Sequence, residues 1–202
     1  MSGNILAVTN RSLCPFDFYE QIGRIAASPA AAVILREKDL PLLEYERLAA
    51  RVLEICRRAG KRCILHTHLQ AAERLRCDAV HLPLPVLRSQ SAEKLERFSI
   101  VGASVHSAAE AVEAETMGAT YLTAGHVFDT GCKPDLPGRG MHFLREVCKA
   151  VSIPVYAIGG ITPSNLPLAL EAGAAGGCMM SSLMRSPDPS SYLVNADSMP
   201  PK

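Results

Sequence analysis

The sequence has no run of about 18 consecutive apolar residues, so none of its segments is expected to cross a membrane as a helix. Its first residues, MSGNILAVTNRS, have neither a long apolar core nor a small-residue cleavage site and are not expected to act as a signal peptide. A surplus of charge is missing too: 21 basic against 20 acidic residues leave a formal net charge of +1. This balance gives no electrostatic reason to expect nucleic acid or an anionic membrane as a partner. Recognition of any anion must come from a local site. No CxxC pair occurs. The seven cysteines, Cys14, Cys56, Cys63, Cys77, Cys132, Cys148 and Cys178, are odd in number and irregularly spaced. That is the pattern of reduced, mostly buried thiols in a cytoplasmic protein. Neither an interior linker nor a repeat longer than one strand and one helix is visible.

What is present is alternation. Hydrophobic residues make up 48% of 202 residues, enough for a buried core. The short apolar runs NILAVTN, AAVILRE, RCILHT, DAVHLP, SIVGASV, TYLTAG, IPVYAIGG and AGGCMMSS predict eight strands. Helical patterns lie between them. FDFYEQIGRIAAS starts near Pro15 and Asp17, and LLEYERLAARVLEICRRAG ends on Gly60, a C-cap candidate. A short helix is expected around 71–75, and SAEKLERF has Ser91 as its N-cap. SAAEAVEAETMGA opens with a capping box of Ser107 and Glu110. MHFLREVCKAV follows, then PSNLPLALEAGA with Pro163 near its first turn. Strands and helices that alternate in this way call for a parallel sheet covered by helices. Eight units in this length predict an α/β fold, a (β/α)₈ TIM barrel over 1–185, with a doubly wound open sheet as the alternative. From Ser186 to the end (186–202) the chain reads as a short Pro/Ser-rich tail with one short helix around 189–194 and disordered last residues. The eighth helix is thus reduced, and a second copy could cover the exposed barrel face to give a homodimer.

In such a barrel, chemistry sits at the C-terminal ends of the strands. The residues just past each strand are mostly polar or glycine: Asn10, Arg11, Arg36, Lys38, His66 to His68, Ser104, His106, the loop GHVFDTGCKPDLPGRG, Gly159, Gly160, Ser181 and Ser182. The glycines of IGGITPSN and the helix start after MMSS predict a phosphate monoester on the backbone amides of Gly160, Met180 and Ser181, beside Gly159. The alternative is that the glycines only make a tight turn. Arg36 and Lys38 are two apart and point the same way, which puts positive charge at the barrel mouth unless they pair with Glu37 or Asp39. Of the six histidines, His81 and His142 read as structural and His106 as a cap-region residue. His66 and His68 form an HxH, but no carboxylate accompanies them, so no metal site is expected. His126 follows directly on the sixth strand in a glycine-rich loop and is the general acid–base candidate.

Taken together, VILREK, DAVHL, VGASVHSAAEAVEAETMGATYL, GHVFDTGCKPDLPGRG, IPVYAIGGITPSN and AGAAGGCMMSS resemble the thiamine phosphate synthase and thiazole tautomerase superfamily of barrels, from about residue 4 to about residue 185. The synthase branch joins a pyrimidine diphosphate to thiazole phosphate, and its Mg²⁺ needs carboxylates after strands three and four. His66-Thr67 and Leu84-Pro85-Val86 stand at those places here, and His126 replaces the synthase's proline. GHVF with its CK and GRG continuation looks like the tautomerase branch. The resemblance therefore implies a thiazole tautomerase, an isomerase that moves one proton on a carboxylated thiazole phosphate without metal or other cofactor. His126 would carry that proton, and Thr130, Cys132 and Lys133 would line the thiazole. Arg36, Lys38 and Ser104 fall where the synthase holds its pyrimidine. With His66 they complete the substrate-binding candidates. The alternatives are a thiamine phosphate synthase with unusual metal ligands and a non-catalytic thiazole-phosphate-binding protein.

Overall fold

The computed structural model describes residues 4–131 and 136–194. Eight strands, β1 (Ile5–Val8), β2 (Ala32–Leu35), β3 (Arg62–His66), β4 (Ala79–Pro83), β5 (Ile100–Val105), β6 (Tyr121–Gly125), β7 (Val155–Ile158) and β8 (Gly176–Met179), run parallel in sequence order. Pairing of β1 with β8, with Leu6 opposite Cys178, closes the ring. This is the (β/α)₈ barrel that the alternation predicts. The helices around it are α1 (Phe18–Ala27), α2 (Leu42–Arg58), α3 (Leu69–Arg74), α4 (Leu84–Arg88), α5 (Ala92–Leu95), α6 (Ala108–Thr116), α7 (Gly140–Ala150), α8 (Leu166–Glu171), α9 (Ser181–Arg185) and α10 (Pro189–Val194). No described helix is long and apolar enough to cross a membrane. The six described cysteines are free.

The helix ends follow local chemistry. Asp17 accepts from the Tyr19 and Glu20 amides at 3.0 Å and starts α1. Gly60, at φ +63°, ends α2 in a Schellman turn: its own N–H reaches the Arg57 carbonyl and the Lys61 N–H reaches that of Cys56. Ser107 accepts from the Glu110 amide at 3.1 Å, and the Glu110 carboxylate accepts from the His106 amide at 2.6 Å, which closes the capping box one residue early. LPVLR forms α4, a helix the sequence reading did not place. Two sequence expectations shift. MMSS divides, with the strand ending at Met179 and Ser181 opening α9. Pro163 lies in a turn ahead of α8, whose first turn contains Pro167 instead. After β8, α9 and α10 are both short, and α10 packs on α1 with Pro189 and Leu193 buried. The expected disorder beyond that helix lies outside the described residues.

Apolar side chains face outward from the ring under the helices, but part of the lumen is polar. His66, His81, Tyr121 and Tyr156 follow one another across it: the two imidazoles stack at 5.4 Å, and Tyr121 meets Tyr156 edge-on at 5.9 Å. Gly102 leaves the room they need, because a Cβ there would stand 2.2 Å from the Tyr121 ring and 2.4 Å from His81 Nδ1. Burial and the positive neighbours hold both imidazoles neutral, pulling His66 down to about 2 and His81 to about 3.

Two outcomes are expected. Gly102→Ala should destabilise the fold by roughly 1–3 kcal/mol through overpacking. Gly23→Ala, in open space on α1, should stabilise it by about 0.5–1 kcal/mol. Urea midpoints of the two variants should therefore move in opposite directions. The second outcome concerns acid. In the unfolded chain a histidine titrates near 6.5, whereas in the barrel His66 and His81 stay neutral well below that. The unfolded state thus binds more protons as the pH falls from about 6.5 towards 3. Stability that is full above 6.5 should drop by up to ~1.4 kcal/mol per pH unit for each imidazole. Unfolding curves at pH 7 and pH 5 check the slope, and His81→Gln should reduce it.

Candidate active site

The C-terminal ends of the strands open into one cavity of about 670 Å³, a size suited to a small ligand. Its floor is the top of the polar lumen, where His66, Ser104 and Thr123 reach it. Leu84, Pro85 and Arg88 of α4 wall one side, and the loops after β6, β7 and β8 wall the other. All ten described candidates from the sequence line it: Arg36, Lys38, His66, Ser104, His126, Thr130, Gly159, Gly160, Met180 and Ser181. Cys132 and Lys133 lie outside the described residues.

Alternation along the chain after β2 sorts the charges. Glu37 is 3% exposed and turns into the wall. There it accepts from the Thr9 hydroxyl at 2.7 Å, the Arg11 amide at 3.0 Å and the Arg11 guanidinium at 3.3 Å. Asp39 takes the same guanidinium at 2.6 Å. Both acids are therefore engaged by Arg11, and Arg36 and Lys38 face the cavity on either side of Glu37. Arg88 adds a third cation at the rim, held by a two-point pair with Glu113 at 2.7 Å.

The HxH does not converge. His66 Nδ1 sits 2.6 Å from Thr67 Oγ1, and Thr67 takes a left-handed turn at φ +70°. His68 stacks on Tyr45 at 4.4 Å instead. Among the described residues no three His, Cys, Asp or Glu side chains come together as a metal site. The two cavity acids have other duties. Glu110 accepts from the His106 amide, and Asp129 accepts from the Gly138 amide at 2.7 Å. Hard divalent cations prefer carboxylate oxygens, and this cavity presents chiefly cations, imidazoles and hydroxyls. The described residues do not fit the Mg²⁺ that synthase chemistry implies.

His126 is buried and donates from Nε2 to the Leu136 carbonyl at 2.9 Å, pinning the far side of the glycine-rich loop. Its own carbonyl accepts from the Arg139 amide at 2.9 Å. The glycines after β7 serve this loop closely. A Cβ on Gly159 would stand 2.2 Å from His126 Cβ, and one on Gly160 would stand 2.6 Å from the Asp129 carbonyl; both glycines have positive φ, +96° and +67°. Met180 and Ser181 complete that wall. α9 begins with no side-chain cap, so its first amides have no acceptor within the helix.

Sequence reasoning placed His81 among structural residues and did not single out Tyr121 or Thr123. Tyr121 and Thr123 are two apart on a strand of a parallel sheet, where buried runs are normally apolar. Polar residues at that spacing were the available signal.

A family model described as thiamine monophosphate synthase matches residues 5–183. The thiamine-phosphate synthase of Syntrophomonas wolfei is 34% identical over 192 residues, covering 92% of this chain and 90% of the relative. That of Methanocella arvoryzae is 35% identical over 191 residues, covering 93% and 90%. Among solved structures, thiamine phosphate pyrophosphorylase from Pyrococcus furiosus superposes with a TM-score of 0.81 at 29% identity, covering 96% of this chain and 95% of that one. These relatives overturn the expectation of an isomerase. The two curated relatives are named synthases, which are transferases, and the thiazole tautomerase reading falls. Matched across all eight strands, the chain belongs to the thiamine monophosphate synthase family.

Proposed function

We propose that the chain acts in thiamine biosynthesis as a thiamine-phosphate synthase, joining a pyrimidine diphosphate to a thiazole phosphate with release of diphosphate. The observation that carries this reading is the division of one cavity into two differently charged ends. The end formed after β7 and β8 offers backbone: the glycines at 159 and 160 and the uncapped start of α9 suit a monophosphate on the amides of Gly160, Met180 and Ser181. The opposite end holds Arg36, Lys38 and Arg88 and suits the more highly charged diphosphate. Ser104 and His66 lie between, where the ring fragments would meet.

On this reading the cations of the chain supply charge to the departing diphosphate. Positive groups fixed in advance stabilise negative charge as it develops and do not have to reorganise. His66, neutral and buried, contributes a polar surface without added charge. His126 positions rather than transfers: its bond to the Leu136 carbonyl holds the loop with Asp129 and Thr130 against the cavity. Thr130 would then line the thiazole.

A second reading is favoured by one observation, the lack of a carboxylate cage among the described residues. It is a barrel that binds the phosphate ester and does not turn it over. Release of diphosphate from the two substrates separates the readings. Turnover that needs both substrates supports the synthase. Binding of thiazole phosphate with no turnover at any Mg²⁺ concentration supports the binding protein.

Under the synthase reading Arg36→Ala and Lys38→Ala should each lower kcat/KM by roughly 10²-fold, with little change in the affinity for thiazole phosphate alone. Gly160→Ala should do the reverse, weakening thiazole phosphate because the new Cβ displaces the Asp129 segment. Titration calorimetry of Mg²⁺ into ligand-free protein should show no saturable binding, and a saturable isotherm would contradict the site's donor chemistry.

A further inference from the structure

Beneath the cavity runs a buried hydrogen-bonded chain that neither phosphate end requires and that reaches the cavity through Ser104 and Thr123. Tyr121 is 1% exposed, and among the described residues its hydroxyl has one polar partner, His81 Nδ1, at 2.8 Å. A buried O–H that gives its proton to nothing is unfavourable, so Tyr121 donates and Nδ1 accepts. His81 is 2% exposed and its burial keeps it neutral at ordinary pH. A neutral imidazole carries a single proton, so that proton is on Nε2. Nε2 points it at Ser104 Oγ, 2.8 Å away. Thr123 Oγ1 lies 3.3 Å from the same oxygen and donates a second hydrogen bond to it, because a protonated Nε2 cannot accept one.

Ser104 Oγ therefore accepts from two sides inside the lumen. A hydroxyl has two acceptor lone pairs and one proton. With both lone pairs engaged, its remaining capacity is as a donor, and its open side is the cavity it lines. From this geometry we infer that Tyr121 and His81 are positioning residues that fix Ser104 as a one-way donor, so that the site selects a ring presenting an acceptor there, such as an unprotonated ring nitrogen, over one presenting N–H. The choice of ring rests on the proposed function, under which a pyrimidine ring occupies the Ser104 side. The proton order in the chain does not depend on it. Gly102 enforces the arrangement, since any side chain there would drive Tyr121 and His81 apart.

Two measurements test this. Nitrogen-15 NMR of the imidazoles in ligand-free protein reports the His81 tautomer. A proton on Nε2 with Nδ1 bare is expected, and a proton on Nδ1 overturns the proposal whatever the protein's activity. The second measurement is a cycle of Tyr121→Phe and Ser104→Ala, read by the Kd of the pyrimidine diphosphate. Each single variant should weaken binding about tenfold. Tyr121→Phe should have no further effect once Ser104 is alanine, because it acts through that hydroxyl. Equal losses from Tyr121→Phe in both backgrounds would show a merely structural tyrosine and overturn the relay. If wild type does not bind the pyrimidine diphosphate, the proposed function fails, and the NMR tautomer still decides the relay.

Discussion

Closing eight short parallel strands into a ring places all eight C-terminal ends on one rim, and everything distinctive about this protein follows from that constraint. Residues far apart in sequence become neighbours because strand order follows chain order around the circle. Arg36 after β2, Ser104 on β5, His126 after β6 and Ser181 after β8 come to one cavity without any long excursion of the chain. The same closure crowds the lumen. Gly102 is required because Tyr121 and His81 fill its space, and Gly176 because a Cβ there would stand 2.0 Å from the Asn4 carbonyl.

The electrostatic character of the rim depends on which side chains the strand ends turn inward. The alternation at Arg36, Glu37 and Lys38 is decisive: the acid turns into the wall, where Arg11 and Thr9 receive it, and the two cations are left facing the ligand space. A nearly balanced chain with a formal charge of +1 thereby acquires a cavity lined by cations. A local site of this kind can suit an anion without an overall basic composition. Below the rim, burial keeps His66 and His81 neutral, so the lumen contributes hydrogen-bond direction rather than charge.

Much of this was legible in the residues. Short apolar runs located the eight strands, capping residues such as Asp17, Ser107 and Gly60 located helix ends, and the rule that barrel chemistry lies past the strands gathered the cavity residues. What stayed hidden were contacts between distant segments. No local pattern shows that Gly159 and Gly160 accommodate His126 and Asp129, or that the partner of His81 is a tyrosine 40 positions away. α4 was missed because LPVLR is too short to show a helical period. The isomerase expectation went wrong for a different reason. It let a few rim positions, the absent carboxylates and the histidine after β6, decide between branches, whereas likeness to the synthases extends along nine-tenths of the chain. Those positions, His66-Thr67, Leu84-Pro85-Val86 and His126, bear on the site and not on family membership.

The central claim is that one rim cavity holds both halves of the joined product, and a crystal structure with thiamine phosphate bound tests it most directly. The account places the phosphate against Gly160, Met180 and Ser181, and the pyrimidine beside Ser104 with an acceptor nitrogen towards its hydroxyl. Thiamine phosphate bound with its phosphate at Arg36 and Lys38, or bound outside the rim cavity, would contradict it.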